Sequence, residues 1–222
     1  SEQLDEMVGL AHRSGMQVAI HCIGDQAVEM AIDSFEKVLT DGDGKRTENI
    51  LRHGIVHCQI TDRGLLQRMG NLGLLAYIQP IFVASDYPIV ESRVGTDMAR
   101  YSYGWKTMIE CGVKIAGGSD SPVESFAMIP NIYCGVTRMD QKGEPLGGWN
   151  PEERLSLRDA IECFTIGGAY ASFEENMKGS LEVGKLADFV VLSEDLFSVE
   201  PKELLRISPE MTVIDGKIIW QS

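Results

Sequence analysis

The chain has 222 residues, 44% of them hydrophobic and 24% charged, with a formal charge of −13, which suits a soluble globular protein with a sizeable core and, with no run of Lys or Arg, argues against nucleic acid or an anionic membrane as partner. No apolar run approaches the roughly 20 residues that span a bilayer, and residues 1–6 have neither the basic start nor the apolar run of a signal peptide. Five cysteines without a C-x-x-C pair read as free thiols, and a cytoplasmic protein is expected.

The chain opens on an acid-started helix over residues 4–13, with Leu4, Met7, Val8 and Ala11 as apolar positions and Ser14-Gly15 as its end. It reads as the helix of a βα unit whose strand is absent, as though cut from a longer protein. A strand follows over 17–21, then a helix from Asp25, read as its N-cap, with Ala27, Met30, Ala31, Phe35 and Val38 toward one side. After a polar loop at 40–45 come a strand over 50–57, a helix from Thr61 and a strand over 74–79. A long insertion runs to about Arg100. A helix around 104–111 and a strand over 113–117 complete four strand–helix units, the pattern of a parallel sheet covered on both faces. Asn150-Pro151-Glu152-Glu153 and Ser156-Leu157-Arg158-Asp159 have the form of helix starts. Beyond Gly179 the chain turns β-like, and Asp215-Gly216 between two apolar runs is a hairpin signal. Residues 1–178 are therefore read as barrel-like and 179–222 as a β appendage.

Three of the strands run into a polar, metal-capable residue: His21, His57 and, through Gly117-Gly118-Ser119, Asp120. Barrels of repeated βα units carry their chemistry at that face, and two imidazoles with a carboxylate form a plausible site for a divalent metal. A single histidine there would more often be structural; two at equivalent strand ends reverse that weighting. Alternation along a strand predicts that His53 and His57 point the same way and that Cys22 and Cys58 point toward the covering helices. His53, deeper along its strand, is expected to orient its neighbours by hydrogen bonds rather than to bind metal. Gln79 is left open between a buried polar residue and a ligand contact. Gly118-Ser119-Asp120 could also be a capping turn or a weak phosphate cradle, and the absence of a Gly-x-Ser-x-Gly elbow disfavours a serine hydrolase.

In order, His21-Cys22-Ile23-Gly24-Asp25, Ile55-Val56-His57-Cys58-Gln59, Gln79-Pro80-Ile81-Phe82 and Gly118-Ser119-Asp120-Ser121-Pro122-Val123 resemble the later strands of the amidohydrolase superfamily, in its family 3 branch of N-substituted formamide deformylase-like enzymes. Residues 165–171 and 179–190 match as well, the latter resembling the return to a β-sandwich domain. The resemblance implies an α/β fold, part of a TIM (β/α)8 barrel equivalent to strands five to eight, with a C-terminal β segment of the sandwich. It implies one or two divalent metals, usually zinc, held by His21, His57 and Asp120, with Asp120 also carrying the proton of the attacking water. Gly54 and Val56 stand where close relatives often have Arg and Glu, and the family's strand-one His-x-His and strand-four bridging acid have no counterpart here.

The expected function is hydrolysis of an amide or related carbon–nitrogen bond of a small molecule by a longer enzyme of which this is the C-terminal half, inactive in isolation. The alternative is a non-catalytic half-barrel that completes a partner chain. A homodimer is expected, because open sheet edges and inward-facing apolar residues such as Ile55 and Ile115 favour association.

Overall fold

The computed structural model describes residues 1–222, which divide into two compact units: residues 1–78 with 88–115, and residues 79–87 with 116–222. In the first, helix α1 (Glu2–Arg13) leads to strand β1 (Ala19–Cys22), helix α2 (Asp25–Val38), strand β2 (Gly54–His57), helix α3 (Arg63–Asn71) and strand β3 (Leu75–Ile78). Helix α4 (Phe82–Ala99), broken at Gly95, occupies the stretch read from sequence as an insertion. Helix α5 (Trp105–Glu110) and strand β4 (Lys114–Gly117) follow. The sheet order is β1-β2-β3-β4, with β1–β2 and β2–β3 parallel. The alternation of strand and helix is as predicted, but the sheet is open and no closed barrel forms.

Local chemistry explains where these elements start. Asp62 caps α3, its carboxylate accepting from the Leu65 N–H at 2.7 Å. Asp62→Ala is expected to cost about 1 kcal/mol, read as a lower urea midpoint at unchanged m-value. The N-cap of α2 is Gly24 with no side-chain bond, so Asp25 is the first helical residue rather than the cap; its charge still suits the positive end of the helix. The buried face of α2 is Val28, Ala31, Ile32, Ser34 and Phe35, whereas Ala27 and Met30 lie exposed. Of the apolar positions expected to face inward, only Ala31 and Phe35 are buried; the buried stripe is centred one residue further along the helix.

Register assigns the strand residues to faces. Ile20 pairs with Ile55 and Ile55 with Ala76; Ile55, Ala76 and Ile78 are fully buried, and Cys22 nearly so. The opposite face carries His21, Val56 and Tyr77 in register, exposed or half-buried. One face is thus fully covered and the other partly, with Leu75 buried on it at the start of β3, and Ile55, expected to be open, belongs to the fully covered side. Close packing limits the helix layer too. A Cβ on Gly70 of α3 would stand 1.7 Å from the Cys111 carbonyl oxygen at the end of α5, so glycine is required there despite its cost of about 1 kcal/mol in a helix.

The second unit contains helices α6 (Met128–Thr137), α7 (Leu157–Phe164) and α8 (Ile166–Ala171). Ser156 caps α7 as its sequence suggests, accepting from the Asp159 N–H at 3.1 Å. An antiparallel sheet of β5 (Phe189–Leu192), β6 (Pro209–Ile214) and β7 (Lys217–Gln221) follows. The Asp215-Gly216 hairpin forms with φ of 50° and 70°, the mirror-image turn that suits strand twist. Leu204 and Ile207 are buried beside the 201–206 turn, which packs on α6. No helix is long and apolar enough to cross a membrane.

Candidate functional site

His21 lies in edge strand β1, paired with Val56 and exposed. His57 ends β2 and is 6% exposed. Alternation from Ile55 would keep His57 on the helix-covered face. Instead φ is +71° at His57 and +51° at Cys58, left-handed values that non-glycine residues adopt at a cost of roughly 1–2 kcal/mol. The alternation breaks there, and the His57 ring meets that of His21 edge-on with centroids 4.5 Å apart. Backbone pairing holds the reversal: Cys58 N–H donates to the Cys22 carbonyl at 3.0 Å and Ile60 N–H to the Ile23 carbonyl at 2.9 Å.

The flanking cysteines behave as core residues. Cys58 Sγ lies 3.5 Å from Met69 Sδ of α3, and burial pushes its thiol pKa well up, helped by the neighbouring Cys22. Burial likewise raises Cys22 to about 11. All five cysteines are buried and unpaired by disulfides.

His53 separates from His57, contrary to the expectation that the two share a direction. It precedes β2 and is fully buried, stacked on Phe35 of α2 with centroids 5.3 Å apart. Its Nδ1 accepts from the Val18 N–H at 3.0 Å, and its Nε2 lies 3.0 Å from Nδ1 of His12 on α1. Asn49 brackets its backbone, accepting from the His53 N–H at 2.9 Å and donating to its carbonyl at 3.0 Å. The expected role of orienting neighbours by hydrogen bonds fits these contacts. His12 was not singled out from sequence, although it stands four residues after buried Val8 on the same helical face.

Asp120 belongs to the second unit, exposed, with φ +56°, and its carbonyl accepts from the Val123 N–H at 2.8 Å. Gln79 is in the same unit and buried, and its carbonyl accepts from the Phe82 N–H. A divalent ion of borderline softness suits imidazole donors, so His21 and His57 fit two positions of its shell. No group of three or more His, Cys, Asp or Glu side chains is placed to hold a metal, and catalytic zinc takes three protein ligands. The two imidazoles by themselves fall short of that number.

The family model described as "Amidohydrolase family" matches residues 1–220. YtcJ of Bacillus subtilis is 34% identical over 220 residues, covering 99% of this chain and 40% of that protein. The N-substituted formamide deformylase of Arthrobacter pascens is 25% identical, covering 99% and 39%. The crystal structure of an uncharacterized metal-dependent hydrolase from Pyrococcus horikoshii matches at a TM-score of 0.76 and 28% identity, over 90% of this chain and 38% of that one. The chain spans about two fifths of the length of these relatives.

Proposed function

This chain belongs to the amidohydrolase family, and from that premise we propose that it supplies part of a divalent-metal site for hydrolysing an amide or related carbon–nitrogen bond of a small molecule. The observation that carries the reading is the pair of imidazoles, 4.5 Å apart, at the ends of two adjacent parallel strands. The relative named N-substituted formamide deformylase supports an amide-type substrate, and borderline donors support zinc.

Bound zinc supplies Lewis acidity toward a carbonyl and lowers the pKa of water. His21 and His57 would hold it, His57 with its ring direction set by the left-handed backbone at 57–58. Asp120 is assigned the proton: its carboxylate oxygen takes one from the attacking water and returns it to the departing nitrogen. The relatives carry further chain that can supply other donors.

The 222 residues alone are expected to retain zinc weakly and to turn over negligibly. Elemental analysis after a chelator rinse, with amine release from N-formyl and N-acyl amines, measures both. Stoichiometric zinc with turnover in this chain alone would contradict the partial ligand set. In the polypeptide that carries this chain with amidohydrolase activity, chelation should abolish amine release and added zinc restore it; turnover indifferent to chelator overturns the metal assignment.

A further inference from the structure

We propose that Val18, His53 and His12 form a proton-sensitive latch, which fastens α1 to the edge of the sheet and lets go when either ring takes up a proton. The Val18 N–H donates to His53 Nδ1 at 3.0 Å, so that nitrogen carries no hydrogen. In the neutral ring the proton is then on Nε2, which donates to His12 Nδ1 at 3.0 Å, and His12 keeps its own proton on Nε2. The direction of every link follows from the backbone N–H at the start.

Such a chain has no place for another proton. On His53 Nδ1 it would face the Val18 N–H. On His12 Nδ1 it would face the His53 N–H, and moving the His53 proton to Nδ1 only shifts the conflict back to Val18. Each arrangement sets two donors against each other and breaks one link. His53 cannot swing away, because Asn49 holds its backbone on both sides and Phe35 stacks on its ring.

The surroundings offer no compensating charge. Burial lowers the His53 pKa to about 4, with a smaller contribution from the neighbouring His12. From α2 the ring receives Phe35. The Tyr77 hydroxyl on β3 accepts from Gln17. On α1, Arg13 lies against Gly9, and Asp5 is bonded to Lys37 and Ser34 of α2, which hold its carboxyl below the usual range. The α1–α2 tie therefore stays charged while the latch titrates. Helix α1 buries only Val8 and Gly9, so losing the latch removes a large part of what holds it.

Hydrogen exchange on the 222-residue chain, corrected for intrinsic rates, tests this between pH 7.5 and 5.0. Amides of residues 5–13 should lose at least about tenfold more protection than those of α2. In His12→Gln the side-chain oxygen accepts from His53 and gains no proton, leaving His53 as the one ring of the latch, so α1 should lose clearly less protection by pH 5.0 than in the parent. Parallel behaviour of α1 and α2 in the parent, or an unchanged pH profile in the variant, overturns the proposal. Should the variant not fold at pH 7.5, nitrogen NMR of the parent's imidazoles decides. His53 should show a bare Nδ1 and a protonated Nε2, a pattern lost at the pH where α1 opens. A proton on Nδ1, or a pattern that persists through opening, overturns the latch.

Discussion

Under the proposed function, replacing either histidine of the edge-on pair should remove the amide hydrolysis to which this chain contributes while leaving its stability nearly intact. For His21→Ala the stability term is small because the side chain is exposed, and exposed substitutions usually stay within about 0.5 kcal/mol. At His57 the better substitution is Asn, which tolerates the left-handed region found there more readily than other residues with a Cβ. Since losing a group that merely supports a metal ligand costs about 10–100-fold, losing a ligand itself should exceed about 100-fold in kcat/KM. Both variants should melt within a few degrees of the parent. A variant that keeps more than a third of the activity would remove its histidine from the ligand set.

The opposite outcome is expected at His53, just before the same strand. His53→Ala leaves the Val18 N–H without its acceptor and empties the space against Phe35, and should destabilise by about 3 kcal/mol. For a chain of this size that corresponds to roughly 6–12 °C in Tm. Its pH dependence separates this cause from simple loss of volume. The folded pKa of His53 is depressed to about 4 from 6.5, so the unfolded chain binds the extra proton more readily. The ring's contribution is complete above about pH 6.5 and is lost as pH falls toward 4. The gap between parent and variant should therefore narrow by about 2 kcal/mol between pH 7.5 and 4.5. A gap that stays constant with pH would mean the ring contributes volume alone.

The two histidines also mark how far the sequence could be read. The Ser156 cap and the Asp215-Gly216 hairpin are local signals, and each is found where its residues suggested. The shared direction of His53 and His57 was inferred from alternation, a property of a regular strand, and the positive φ at His57 and Cys58 ends that regularity. Neither His nor Cys marks a left-handed residue as glycine would. His12 gives no sequence signal for a different reason: its partner is 41 residues away, and a lone histidine in an amphipathic helix looks like a solvent residue. The 82–99 helix, with Pro88 inside and a break at Gly95, carries the residues that usually argue for a loop. Strand-end position groups Asp120 with the histidines, and the chain's own contacts assign them to different units.

The meeting of Gly70 with the Cys111 carbonyl has a consequence for how this sequence can drift over evolutionary time. Position 70 accepts no side chain while the 111–112 turn stays as it is, and that turn is itself tied to a glycine, Gly112, at φ +83°. Neither site can change first without forcing α3 off its seat and exposing Leu66 and Met69, now fully buried. Divergence at this corner must proceed by paired replacement or by a change in loop length. Among homologous chains, variation at 70 should therefore travel with variation at 111–112 and be rare elsewhere.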